Sequence, residues 1–164
     1  MFRKILVLAL VASATPVAAL AANSSGGTAL NAWGPRVGFS TGPDQFLIGA
    51  QLDFSDVAPN IGFVPNLDIG FGDHVTTFDL NADLHYMFTL RDSPWRPYVG
   101  AGVGITFSNF SSDVGGDSET DVGGSLIVGA TAPTKRGSRF FSEAKLGLGD
   151  IADFKLLVGW NFPM

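Results

Sequence analysis

The chain has 164 residues with 10 basic and 15 acidic side chains, two histidines and no cysteine, and its formal net charge is −5. The scarcity of clustered Lys and Arg argues against a nucleic-acid partner, and the absence of cysteine excludes disulfides, thiolate metal sites and cysteine nucleophiles. Glycine is abundant at 21 residues although the mean hydropathy is positive, a combination that is unusual for a soluble enzyme.

The first 21 residues have the layout of a secretory signal peptide. Arg3 and Lys4 precede an apolar run, and Ala19 and Ala21 supply an A-x-A cleavage pattern. The apolar run is well short of the ~20 residues that a spanning helix needs. Removal of the leader changes the formal net charge from −5 to about −7. We therefore predict a signal peptide over 1–21, a flexible N-terminal segment over 22–31 and one domain over 32–162.

Apolar and polar residues alternate in eight segments after the leader, which predicts eight β-strands. No later stretch reaches the ~18 consecutive apolar residues of a membrane helix, so a spanning domain has to cross with strands, and only a closed barrel then satisfies the backbone hydrogen bonds. Pro65 interrupts the third strand because it lacks a ladder donor. The predicted strands cover 32–41, 46–54, 61–71, 77–88, 95–108, 120–130, 139–148 and 153–162.

The fourth strand indicates which face of the barrel is enclosed. Its apolar residues alternate with polar ones that include Asp79 and Asp83. A charge that faces lipid near the bilayer midplane costs several kcal/mol, so the polar face must line a lumen. The predicted fold is all-β, an eight-stranded antiparallel up-and-down transmembrane β-barrel with a polar, filled lumen. The predicted lumen network consists of Arg36, Asp53, Asp68, Asp79, Asp83, His85, Arg96, Tyr98, Asp121, Glu143, Lys145 and Lys155.

This network has two interpretations, a polar pathway or ligand site and a charge-paired filling of the barrel. An eight-stranded barrel is only wide enough for its own side chains, which favours the structural interpretation. The excess of acids near Asp79 and Asp83 predicts that protons, trapped water or cations accompany the buried carboxylates. His85 is a possible proton acceptor between Asp83 and Tyr98, although a lumen histidine is more often a hydrogen-bonded member of the network.

Other candidate sites have simpler explanations. Asp73 and His74 lie in a predicted turn without a nucleophile at a recognisable spacing, so a solvated histidine is expected there. The glycines between Gly100 and Gly104 precede no helix and so do not form a phosphate-binding loop. We predict no catalytic residue, no metal and no cofactor. The longest predicted loop covers 109–119. The spacing of the acids in this loop and at its border does not match that of an EF-hand calcium loop. These acids are Asp113, Asp117, Glu119 and Asp121.

Aromatic residues cluster near the predicted strand ends, as in the girdles at membrane interfaces. The predicted girdle consists of Trp33, Tyr86, Phe88, Trp95, Phe154, Trp160 and Phe162.

The stretch from Arg96 to Gly104 resembles the strand opening of small eight-stranded outer-membrane proteins of the OmpA, OmpX and OmpW type, and the aromatic last strand is similar to theirs. The resemblance implies a Gram-negative outer-membrane location, contact with outer-membrane lipid and insertion by the barrel-assembly machinery. It also implies periplasmic turns at 55–60, 89–94 and 132–138. Phe162 departs from the pattern because Pro163 and Met164 follow it, whereas such barrels end on an aromatic residue.

The function expected from these observations is that of a monomeric, non-enzymatic outer-membrane barrel with a structural or surface-binding role. The alternative is a small, porin-like channel or a binding protein for a small hydrophobic solute, served by a lateral opening near Pro65. A lipid-modifying enzyme and a soluble lipocalin-like barrel are further alternatives, and the soluble barrel requires the apolar face to point inward.

Overall fold

The computed structural model describes residues 29–110 and 117–164, so the predicted signal peptide lies outside the described residues. Eight strands follow one another, each paired with its neighbours in the sequence: β1 Leu30–Thr41, β2 Gln45–Ala58, β3 Ile61–Gly72, β4 Val75–Met87, β5 Arg96–Phe110, β6 Asp117–Pro133, β7 Arg139–Gly149 and β8 Phe154–Pro163. Within the described ranges, no helix is long and apolar enough to cross a membrane.

The strands form one closed antiparallel barrel in the order β1 to β8. Closure is made by β1 and β8, whose register runs from Ala32–Pro163 to Thr41–Phe154. Both ends of the barrel domain therefore lie at one rim, here called the termini end, together with the β2–β3, β4–β5 and β6–β7 connections. The opposite rim is called the loop end. This topology confirms the predicted eight-stranded up-and-down barrel.

The structure differs from the predicted strand limits mainly in length. β1 begins at Leu30, within the segment predicted to be flexible, because the Asn31 carbonyl accepts a hydrogen bond from the Met164 N–H at 3.0 Å. β2 continues to Ala58, and a two-residue connection replaces the longer turn predicted at 55–60. β5 and β6 pair as far as Phe110–Asp117, which shortens the predicted loop at 109–119. At these ends, pairing with a neighbouring strand thus extends β1, β2, β5 and β6 beyond their own alternation patterns.

The direction of the side chains confirms the predicted orientation. On β4, Phe78 and Leu84 are exposed on the outside, whereas Asp79 and Asp83 are buried inside. A soluble barrel has the reverse arrangement, since it buries apolar groups and exposes charges to water. The apolar exterior and charged interior exclude the lipocalin-like alternative.

The β2–β3 ladder is interrupted beside Pro65. The β2–β3 register passes from Gln51–Asn66 to Phe54–Phe63 without a pair at Pro65, although Pro65 stays in register with Ala82 of β4. The ladder resumes in the same register, so the structure shows an interrupted β2–β3 ladder at this place, and the lateral opening stays a prediction. A groove of about 660 Å³ lies over this interruption on the outer face, and Ala50, Pro65, Leu67 and Ala82 contribute to its lining.

Candidate functional site in the barrel lumen

The lumen is crossed by a guanidinium–carboxylate pair between β1 and β3. Arg36 Nε donates to Asp68 Oδ1 at 2.7 Å, and a second bond from Arg36 Nη2 reaches Asp68 Oδ2. Gln51 Oε1 and Asn66 Oδ1 accept further hydrogen bonds from the guanidinium. Arg36 is 1% exposed and Asp68 is fully buried. This bidentate geometry is the most favourable for an arginine and a carboxylate, and it neutralises both charges away from bulk water.

Gly49 provides the space in which this pair forms. It lies on β2 between Arg36 and Asp68 in the register of the three strands. A Cβ at Gly49 would lie 2.1 Å from Asp68 Oδ1 and 2.3 Å from the Leu67 carbonyl oxygen. The missing side chain is therefore what lets groups two strands apart meet inside the barrel.

Gly49→Ala should lower the free energy of unfolding by about 1–3 kcal/mol through overpacking. Gly62→Ala is the control, because Gly62 is a buried strand glycine and the nearest atom to its added Cβ would lie at 3.8 Å. Urea unfolding in lipid vesicles measures both changes. Equal stability of the two variants would contradict the proposed role of Gly49.

Two lysines neutralise the acids of β4. Lys145 Nζ donates to Asp83 Oδ2, which also accepts a bond from Asn66 Nδ2 at 2.6 Å. Lys155 Nζ donates to Asp79 Oδ2 at 2.6 Å. Lysines from β7 and β8 therefore neutralise the aspartates near which an excess of acids was expected. The spacing of these lysines in the sequence does not show that they lie opposite β4.

Glu143 has a different environment from the other buried acids. Its Oε2 accepts a hydrogen bond from the Tyr98 hydroxyl at 2.9 Å and lies 3.5 Å from His85 Nε2. The nearest basic atoms to its Oε1 are Lys145 Nζ at 3.6 Å and Arg36 Nη1 at 3.9 Å. The His85 ring stacks on the Tyr98 ring with centroids 4.6 Å apart. Glu143, His85 and Tyr98 therefore form one cluster beside the Lys145–Asp83 pair.

The structure places the predicted lumen residues at different depths. The nine that are buried are Arg36, Asp68, Asp79, Asp83, His85, Tyr98, Glu143, Lys145 and Lys155. Asp53, Arg96 and Asp121 are only half-buried. The first two lie towards the termini end and Asp121 towards the loop end, as their strand registers show.

Sequence reasoning missed the apolar part of the lumen. Leu47 and Leu157 are fully buried, and Phe141 is 2% exposed. Leu47 and Leu157 occupy inward positions of the alternation, which was the available signal, but their hydrophobic character gave no reason to single them out. They fill space that polar side chains leave open, so the lumen is a packed interior.

The predicted girdle residues fall mainly at one rim. Trp33 and Phe162 are paired across the β1–β8 seam with ring centroids 5.6 Å apart, and Trp160, Tyr86, Phe88 and Trp95 lie towards the same termini end. Phe154 begins β8 at the loop end. The aromatic residues at the loop end that sequence reasoning missed include Phe39, Phe46 and Phe71, which occupy neighbouring register positions.

The other candidates are His74, Asp73 and the acids near the β5–β6 connection. His74 is exposed in the β3–β4 turn beside Asp73. Glu119 is exposed near the start of β6, whereas Asp113 lies outside the described residues. Asp117 is the first residue of β6. Exposed Asp73, His74 and Glu119 are therefore not part of the buried cluster.

An apolar exterior around a charge-paired lumen defines a transmembrane β-barrel of the small outer-membrane type. The chain is similar to the N-terminal β-barrel domain of Pseudomonas aeruginosa OprF, with a TM-score of 0.66 and 15% identity over 80% of this chain and 96% of that chain. It is also similar to Neisserial surface protein A, with a TM-score of 0.61 and 11% identity over 82% and 94% of the two chains.

A third similar structure is the outer membrane enzyme PagL, with a TM-score of 0.50 and 13% identity over 81% of this chain and 99% of that chain. No protein-family model and no curated protein matches the sequence. At these identities the likeness shows the shared eight-stranded fold alone.

Proposed function

We propose that the protein is a non-enzymatic, non-conducting barrel of the Gram-negative outer membrane with a structural or surface-binding role. The observation that carries this proposal is the set of buried ion pairs across the lumen, Arg36–Asp68, Lys145–Asp83 and Lys155–Asp79. An ion in transit would have to separate such a pair, and removal of one partner from a buried pair costs about 3–5 kcal/mol. The ion pairs across the lumen therefore stabilise the barrel and block the passage of ions.

The outer-membrane location rests on the leader and on the resemblance of the Arg96–Gly104 stretch. It entails export by a signal peptide, insertion by the barrel-assembly machinery and contact with outer-membrane lipid as a monomer. Membrane fractionation combined with migration of boiled and unboiled protein on a detergent gel tests the compartment and the closed barrel together. Recovery in a detergent-free periplasmic fraction would overturn this part of the proposal.

The surface-binding role is assigned to the β5–β6 hairpin at the loop end. The register of β6 with β7 begins at Gly123–Gly149, so residues 117–122 of β6 extend beyond the end of β7. This projecting part includes exposed Glu119 and half-buried Asp121. These described residues of the hairpin project past the end of β7, where they offer a contact surface to a partner at the loop end.

The non-enzymatic role is supported by the surroundings of the two histidines. His85 is buried against Glu143 and Tyr98, where it stacks on a ring and faces a carboxylate. His74 is exposed in a turn. The likeness to PagL leaves this proposal open to test, because a fold does not determine an activity. Turnover of a lipid ester that His74→Ala or His85→Ala abolishes would overturn it.

Reconstituted protein should give no stepwise ion current in planar bilayers, since the lumen is filled and its charges are paired. Asp83→Ala should lower the stability of the barrel without opening a channel, because Lys145 then loses its hydrogen-bond acceptor. Asp150→Ala, at an exposed position after β7, is the control that leaves both properties unchanged. Discrete wild-type conductance that changes in Asp83→Ala would contradict the proposal and favour a channel.

The groove beside Pro65 favours a second candidate, a binding protein for a small hydrophobic solute. Apolar side chains line the groove, and the wall behind it has an interrupted β2–β3 ladder. Gln51 borders both this groove and the cavity inside the termini end. A solute held in the groove would therefore lie against a part of the wall where the β2–β3 ladder is interrupted.

A fluorescent long-chain fatty acid tests this second candidate. Ala82→Trp fills the groove and should weaken binding of the probe to the detergent-purified barrel, whereas Ala144→Trp, on the far wall in β7, should leave it unchanged. Equal binding by both variants would exclude the groove as the site.

A further inference from the structure

The buried charges of the lumen do not balance. Among the described residues, the buried basic side chains are Arg36, Lys145 and Lys155, and the buried acids are Asp68, Asp79, Asp83 and Glu143. Each of the three aspartates has a basic group of its own within hydrogen-bond distance. Glu143 is left as the fourth acid, and a buried carboxylate requires compensation by a proton or a cation.

The atoms around Glu143 have unused bonding capacity. Glu143 Oε1 and His85 Nε2 are buried, and neither has a hydrogen-bond partner among the described residues. Glu143 is 2% exposed and His85 is 3% exposed. Buried polar atoms without partners are rare in folded proteins, and a bound ion or water is one way in which such atoms are satisfied.

We propose that Asp83, His85 and Glu143 form a binding site for one divalent cation of the zinc type inside the barrel. One ring nitrogen and two carboxylate oxygens of these residues lie within 4.8 Å of one another. A tetrahedral zinc with bonds of about 2.0 Å separates its ligand atoms by about 3.3 Å. The 3.5 Å between His85 Nε2 and Glu143 Oε2 is already close to that separation.

The choice of cation follows from the donor set. Imidazole nitrogen suits zinc and its transition-metal neighbours, whereas calcium and magnesium prefer a shell made of oxygen alone. Three protein ligands leave the fourth tetrahedral position of zinc to a water molecule. Tyr98 is a positioning residue, because its hydroxyl bonds to Glu143 Oε2 and its ring holds the His85 ring in place.

A small cavity towards the termini end borders His85, one of the three proposed ligands. A cavity of about 30 Å³ is lined by His85 and Tyr98 on its inner side and by half-buried Arg139 and Asn161 near the rim. About 10–15 Å³ is enough for one water molecule, so the cavity accommodates a water or a small cation next to His85.

Lys145 competes with the cation for the same acids. Its Nζ bonds to Asp83 Oδ2 and lies 3.6 Å from Glu143 Oε1, so its positive charge repels a metal ion at the site. Removal of this charge should strengthen metal binding. Lys155 offers a matched comparison, since it lies opposite Lys145 in the β7–β8 register but is paired with Asp79, outside the cluster.

The experiment uses the full chain with its leader, carrying a histidine-free affinity tag and purified from membranes in detergent. Zinc content is measured by mass spectrometry, and affinity by competition with a chromophoric chelator. We expect one zinc per barrel. Lys145→Met should tighten binding by about tenfold or more because a repelling charge is lost. Lys155→Met should leave the affinity unchanged, and excess magnesium or calcium should not displace the zinc.

His85→Ala and the nearly isosteric Glu143→Gln should each weaken zinc binding by about tenfold or more. His74→Ala controls for adsorption to the exposed turn and should bind as the wild type does. Detergent-gel migration verifies that each variant is folded. Absence of zinc from both the wild type and folded Lys145→Met would overturn the proposal, as would undiminished binding in folded Glu143→Gln.

Discussion

Arg36→Ala should lower the free energy of unfolding by about 3–5 kcal/mol, because it leaves Asp68 buried without its cation. The guanidinium also supplies hydrogen bonds to Gln51 and Asn66, so its loss removes partners from three side chains at once. Urea unfolding in lipid vesicles, followed by tryptophan fluorescence, measures the change. Arg36→Lys should recover only part of the stability, since an ammonium cannot form the bidentate pair.

The exposed Arg136, in the β6–β7 connection, provides the control for this prediction. Arg136→Ala should change the free energy of unfolding by no more than about 0.5 kcal/mol, as is usual for surface positions. A double variant with Arg36→Ala and Asp68→Ala should be more stable than the sum of the single effects implies, because it leaves no uncompensated charge. Equal effects of the Arg36 and Arg136 substitutions would mean that the buried pair does not stabilise the barrel.

The sequence was sufficient to predict which face of each strand lines the lumen, because apolar and polar residues alternate along the strand. On β4, each carboxylate follows an apolar residue, and a period of two leaves only two faces to choose between. The bilayer then decides which face is which, since Asp79 and Asp83 cannot lie in hydrocarbon. The orientation of the two faces therefore follows from single strands and does not depend on which residues of neighbouring strands are paired.

The partners inside the lumen could not be predicted in the same way. Lys145 and Asp83 are 62 residues apart, and Lys155 and Asp79 are 76 residues apart. Which of them meet depends on the stagger of all eight strands and on positions such as Gly49, where a missing side chain admits a neighbour's group. The isolation of Glu143 from a basic partner of its own therefore became visible only in three dimensions.

The ends of the strands could also not be predicted from the alternation of apolar and polar residues. The β2–β3 turn was predicted over six residues, yet β2 pairs with β3 up to Ala58–Ile61. Pairing in a barrel is imposed by the neighbouring strand, which extends a ladder through residues whose own alternation has ended.

Leu80→Arg should produce the second large effect, a loss of about 2–4 kcal/mol in vesicles, because it places a charge in the lipid near the bilayer midplane. Leu80 lies near the middle of β4 and is 44% exposed on the outer face. The cost of charge is isolated by subtracting the effect of Leu80→Ala, which removes the same side chain without adding a charge. Urea unfolding of the three proteins gives the difference.

The same pair of substitutions at Phe88 provides the depth control. Phe88 follows the end of β4 at the termini end, where the membrane interface is expected, and it is exposed like Leu80. Phe88→Arg compared with Phe88→Ala should therefore cost only about 0–1 kcal/mol, because an interfacial arginine keeps its contact with water. A penalty that depends on depth can arise only if the exposed apolar band is in contact with lipid. Equal penalties at Leu80 and Phe88 would instead indicate that this band faces another protein or water, and the barrel would then have to be placed outside the bilayer.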